Sequence, residues 1–134
     1  MDVVPFSSFC CEHYLRTRGL LTRTTVGAQA LLRDLPKGSV NIACNIHSWS
    51  EAPLASIEKW LDALARLEVR YLFLVPHTVN AVSSEADDQT KPIVPAVLAR
   101  GYRIITEQPK YGVSQFFAEN ALYPYVYCYL FERV

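Results

Sequence analysis

The chain has 134 residues, 51% of them apolar and 19% charged, which is the composition of a folded globular domain and excludes a disordered polar segment. Its 13 basic and 13 acidic side chains cancel, so no net field gathers nucleic acid or anionic lipid, and neither partner is expected. No run approaches the roughly 20 apolar residues that cross a bilayer, and the first residues lack the basic-then-apolar pattern of a signal peptide. A soluble cytoplasmic protein is expected, with no membrane association.

The cysteines are Cys10, Cys11, Cys44 and Cys128, with no C-x-x-C pair. Neither a disulfide framework nor a zinc site is signalled, and reduced, mostly buried thiols are expected. Arg16, Arg18 and Arg23 form a weak basic cluster that a solvated helix end explains as well as a phosphate patch does.

In chain order, Val3 and Val4 read as the end of a strand stopped by Pro5. Phe6, Phe9, Cys10 and His13 fall at helical spacing, with Gly19 as the C-cap. A second helix is expected from Val26 to Leu35, with Val26, Ala30, Leu31 and Leu35 inward, closed by the turn Pro36-Lys37-Gly38. Ser39 to Asn45 reads as a strand that runs into the polar segment Ile46–Glu51. Ile57, Trp60, Leu61, Leu64 and Leu67 then mark one face of the clearest helix in the chain, with Ser50 as N-cap and Pro53 in the first turn.

Tyr71 to Val75 is a continuous apolar strand of the kind covered on both faces. His77 to Lys91 reads as a polar surface loop. Thr90 and Pro92 open a short helix through Val94, Val97 and Leu98, ended by Gly101. Tyr102 to Thr106 is the next strand, and Tyr125 to Phe131 an antiparallel last one. Strands alternating with helices imply right-handed βαβ units and a three-layer α/β sandwich whose sheet is mostly parallel with an antiparallel final strand. The chain shows no repeat, low-complexity tract or linker, so residues 1–134 are expected to form a single domain.

Four stretches carry a resemblance. Asp2-Val-Val-Pro5 with Phe6 and the His13-Tyr14-Leu15-Arg16 helix is one; Asn45-Ile46-His47-Ser48-Trp49-Ser50-Glu51-Ala52-Pro53 is the most specific, close to the pattern N-x-x-S-F-x-E-M-P. Arg70 to Val75 and Ala99-Arg100-Gly101-Tyr102-Arg103 are the others. In this order they resemble the C-terminal half of the class I (Rossmann-like) S-adenosylmethionine-dependent methyltransferases, most closely the bacterial sugar O-methyltransferases. The resemblance implies a partial Rossmann-like sheet with S-adenosylmethionine as cofactor and a sugar or similar hydroxylated small molecule as acceptor. One departure stands against the matches. Gly19, Gly27, Gly38, Gly101 and Gly112 are isolated, so the glycine-rich turn with which that fold cradles its cofactor is missing. A methyltransferase-like domain lacking the N-terminal cofactor half is therefore expected, completed by a second chain carrying it or by homo-oligomerisation.

In open α/β sheets ligands bind beyond the carboxyl ends of the parallel strands. That rule and the resemblance point to Pro5–Ser8, Asn45–Glu51 and Pro76–Asn80. His47 is the candidate general base for an acceptor hydroxyl, with Glu51 beside it as a second catalytic candidate. Pro5, Phe6 and Asn45 are candidates for cofactor contacts, and Ser48, Ser50 and His77 for the acceptor. A plainer reading stands beside each: Ser48 and Ser50 are good helix caps, Glu51 suits a helix N-terminus, and Trp49 fills a core. Asp87 and Asp88 are adjacent and point apart, so no metal is expected. Tyr111, Phe116, Phe117, Tyr123 and Tyr125 line a sugar pocket or cover a sheet edge. Absence of G-x-S-x-G and of any phosphate-cradling turn counts against a hydrolase or flavodoxin-like fragment. The alternative function is a non-catalytic remnant or oligomerising interaction module with the same half-fold.

Overall fold

The computed structural model describes residues 5–22, 24–27, 29–77, 80–109 and 127–134. The chain divides into two compact units, Met1–Pro36 and Lys37–Val134. In the first, helix α1 spans Pro5–Thr17. Gly19 at φ 68° ends it: the Gly19 N–H donates to Arg16 O at 3.0 Å and the Leu20 N–H to Leu15 O at 2.9 Å. This double bond pattern satisfies two last-turn carbonyls and needs the left-handed conformation that glycine adopts without strain.

The helical spacing of Phe9, Cys10 and His13 does not mark a buried face. Phe9 is 65% exposed and stacks on His13 one turn later. Arg16 pairs with Glu12 at 2.6 Å, and Arg18, just past the helix, lies over the Tyr14 ring. The second expected helix is only a 3-10 segment, Gln29–Asp34, and Leu31 stands exposed rather than inward. With Gly27 at its start and Pro36 at its end, the stretch has too few residues to propagate α-helix.

In the second unit β1 (Ile42–Ile46) leads through a 3-10 turn (Ser48–Glu51) into α2 (Leu54–Arg66) and then β2 (Tyr71–Val75). A hairpin follows, β3 (Val82–Ser84) with β4 (Thr90–Pro92), then α3 (Val94–Leu98), β5 (Tyr102–Pro109) and β6 (Tyr127–Arg133). The main sheet has the order β1-β2-β6-β5. β1 and β2 are parallel, pairing Ile42 with Tyr71 through Ile46 with Val75. β6 is antiparallel to both β2 and β5. Three strands thus share one direction and the final strand is reversed. Because β6 lies between β2 and β5, only the β1–β2 ladder is itself parallel, and the sheet is mixed.

One face of this sheet holds the core. Leu72 pairs with Phe131 and Leu74 with Tyr129, and all four are buried. Arg133, on the same face, donates through Nη1 to the Ala65 carbonyl, which sets α2 over this side. The stripe Ile57, Leu61, Leu64 of α2 is buried, with Leu67 just beyond it. Each such side chain contributes about 1.5–3 kcal/mol. Arg100, just past α3, reaches Asp62 and Glu58 of α2, so α3 ends beside α2 on the same side.

On the opposite face, no described element of the unit covers β1. Ile42 and Ile46 are 51% and 62% exposed and Cys44 between them is exposed, while Tyr71, Phe73 and Leu130 are half-buried. Among the described residues of this unit the fold is mixed α/β, with its helices on one face of the sheet. The thiols follow suit: no cysteine is in a disulfide, but Cys10, Cys11 and Cys44 are exposed rather than buried.

Two local expectations are also corrected. The polar stretch 77–91 is not all loop, since residues 82–84 pair with residues 90–92 as a separate two-stranded sheet. Thr90 and Pro92 consequently belong to β4, and α3 starts after Ile93. The expected strand end at Val3–Val4, Arg23, Gly112 and the aromatic residues 111, 116, 117, 123 and 125 lie outside the described residues.

Candidate functional site

Asn45 is near the end of β1 and both ends of its side-chain amide are bonded within the following turn. Oδ1 accepts the Trp49 N–H at 3.1 Å and Nδ2 donates to Ser48 Oγ at 2.7 Å. The amide therefore caps the 3-10 turn, as Asn does where a strand breaks into a turn. His47 makes the break. Its N–H extends the ladder to Val75 O at 2.7 Å, and its backbone then takes φ 70° and ψ −40°. A non-glycine residue there carries about 1–3 kcal/mol of strain. Glu68, Ala81 and Asp88 also have positive φ, so the sign alone does not mark function.

Trp49 and Ser50 are buried, which anchors the 3-10 turn. Ser50 is not the N-cap of α2. Pro53 holds that position without a side-chain bond, and the Leu54 N–H donates instead to Glu85 Oε1 at 2.9 Å. The Ser50 hydroxyl accepts the His77 N–H at 3.0 Å. β2 ends at Val75, buried Pro76 follows, and His77 emerges beside His47.

The two imidazoles meet edge to face, with ring centroids 4.1 Å apart and planes at 72°. Glu51 Oε1 stands 3.6 Å from His77 Nδ1. Three of the candidates, His47, Glu51 and His77, are thus brought together at the carboxyl ends of the two parallel strands. Asn45, Ser48 and Ser50 build the turn that carries them. Pro5 and Phe6 begin α1 in the other unit, and their side chains are outside the described residues.

Among the described residues, no three His, Cys, Asp or Glu side chains have metal-site geometry. Asp87 Oδ1 accepts the Gln89 N–H and Asp88 takes φ 59°, so both serve the β3–β4 turn. Nor do the described glycines fit a methyl-donor cradle. Gly38 and Gly101 precede β1 and β5, at the amino ends of the strands, away from the histidines; in the other unit Gly19 ends α1 and Gly27 precedes the 3-10 segment, its Cα side filled by Leu31. Ser84 and Glu85, which grip the turn bearing Glu51, carry no signal in the sequence, because their partners Ser50 and Leu54 lie 34 and 31 residues away.

No family model matches the chain, and no curated protein matches it. No helix among the described residues is long and apolar enough to cross a membrane.

Proposed function

We propose that the chain is the late half of an S-adenosylmethionine-dependent O-methyltransferase acting on a sugar or similar hydroxylated small molecule. The observation that carries this reading is the pairing of His47, Glu51 and His77 at the carboxyl ends of β1 and β2, in a sheet closed by a reversed final strand. Parallel strands joined by a helix leave their loops converging at that end, where open α/β sheets take ligands. A neutral imidazole there accepts the proton of an acceptor hydroxyl and raises the nucleophilicity of its oxygen. His77 Nδ1 faces the Glu51 carboxylate, and His47 stands against the His77 ring.

The methyl donor's cradle is not among these residues. A glycine-rich segment, on a second chain or on further polypeptide, has to complete the site. The test is methyl transfer to a panel of free sugars by the chain assembled with such a segment. Transfer that is abolished by His47→Gln and His77→Gln together is expected; transfer that survives both overturns the role given to the histidines.

One observation favours a second reading, a non-catalytic interaction module. Ile42, Cys44 and Ile46 present an exposed row on β1, an edge strand of the described sheet. Such strands pair readily with another chain or a second copy. An assembly that forms yet binds no methyl donor favours this reading.

A further inference from the structure

Glu51 is itself 68% exposed, so its own packing does not hold it near His77. Its neighbours do. The carbonyls on either side are both taken by one residue of the hairpin: Ser84 Oγ donates to Ser50 O at 2.7 Å, and the Ser84 N–H donates to Ala52 O at 3.3 Å. Ser50, 7% exposed, then accepts the His77 N–H on its hydroxyl. Glu85, next along, closes the same contact by accepting the Leu54 N–H. A continuous set of bonds thus runs from the hairpin, around the backbone of Glu51, to the backbone of His77.

We propose that Ser50 and Ser84 are positioning residues of this site. Ser84 fixes the chain on both sides of Glu51, and Ser50 passes that constraint to His77, so that the carboxylate meets Nδ1. A carboxylate at Nδ1 favours the tautomer with its proton there and leaves the Nε2 lone pair outward as the proton acceptor. This deepens the reading above and rests on it for the use of that lone pair. The arrangement itself is tested without turnover.

The test is the long-range nitrogen–proton NMR spectrum of the imidazoles in the full chain at about pH 8.5, well above the ordinary imidazole value. The His77 signals are identified by their loss in His77→Gln. The wild-type chain is expected to show a larger share of the Nδ1–H form at His77 than the Glu51→Ala chain does. Glu51→Ala lowers the ratio of the two tautomers by a factor of about two to five, the range of a solvent-exposed charge contact. Ser84→Ala and Ser50→Ala shift it in the same direction, and Ser84→Thr, which keeps the hydroxyl, restores it. Ser84 is exposed, so its variants are read in folded protein even where Ser50→Ala does not fold. A folded Ser84→Ala chain with the wild-type ratio overturns the proposal, as does a Glu51→Ala ratio equal to that of the wild-type chain. Failure of a completed assembly to bind methyl donor overturns the methyltransferase reading instead and leaves the tautomer result standing.

Discussion

The Glu85 carboxylate accepts the Leu54 N–H at 2.9 Å, and this bond ties the helix that crosses from β1 to β2 to the hairpin that follows β2. A carboxylate at a helix N-terminus meets both an unpaired N–H and the positive end of the helix dipole. The Leu54 N–H holds the Glu85 carboxyl below the ordinary carboxylate range; partial burial opposes this, and Ser83 Oγ and Lys91 add to it. The folded value lies below the unfolded one, so the stabilisation is present above the ordinary range and is lost as pH falls through the folded value. Glu85→Gln is expected to make stability less steep in pH on the acid side, as read by urea unfolding at a series of acid pH values. Glu132, lowered first by its hydrogen bond from Arg103 and then by that from Arg70, contributes to the same acid limb.

The alkaline limb has a different origin. The Tyr102 hydroxyl donates to Val69 O at 2.8 Å within the core, and burial raises its phenol above the ordinary value. Burial raises Tyr129 as well. A raised folded value stabilises the protein below the unfolded value and loses that contribution as pH rises through the folded one. Tyr102→Phe is expected to cost about 1 kcal/mol at neutral pH, for the lost hydrogen bond and the unpaired Val69 carbonyl. It is also expected to reduce the loss of stability above about pH 10. Unfolding curves at neutral and alkaline pH measure both.

Leu61 is fully buried in the middle of the α2 stripe. Leu61→Ala is expected to destabilise the second unit by about 2–5 kcal/mol, the transfer loss plus the cavity left behind. Chemical denaturation followed by Trp fluorescence reads this directly, since Trp49 belongs to the same core.

Gly101 tests backbone strain in isolation. It takes φ 78°, and an added Cβ meets nothing within 4 Å. Gly101→Ala is therefore expected to cost about 1 kcal/mol from the left-handed conformation alone. A cost near zero in urea unfolding contradicts that geometry.

At the site, His77→Gln in an assembly completed by a glycine-rich segment is expected to lower kcat by about 10²- to 10⁴-fold, the usual contribution of a general base. KM for the acceptor is expected to change less. Steady-state methyl transfer separates the two.

Where a single element carried its own signal, the sequence was legible. The period of Ile57, Leu61, Leu64 and Leu67 marked α2, and the unbroken run Tyr71–Val75 marked β2. Gly19 and Gly101 marked turns that do take positive φ. The placement of His47 and His77 just past two strands was enough to nominate both, because strand ends and the ligand side of a parallel pair coincide. What depended on distant partners was not legible. Ser84 and Glu85 acquire their roles only when the hairpin folds back on residues 50–54, and nothing local distinguishes them from loop residues. Ser50 looked like a helix cap because a cap and a loop tether draw on the same hydroxyl. The exposure of Cys44 was not legible either, because whether a strand face is covered depends on elements distant in sequence, and no described element of the unit covers Ile42, Cys44 and Ile46.

The most direct measurement of the central claim is isothermal titration with S-adenosylmethionine and its demethylated product, S-adenosylhomocysteine. The chain is titrated alone and then co-expressed with a neighbouring polypeptide that carries a strand and glycine-rich turn. The account predicts no binding heat from the chain alone and micromolar binding by the completed assembly. Micromolar binding by the chain alone contradicts the claim that its site is incomplete, and no binding by either preparation contradicts the methyltransferase reading itself.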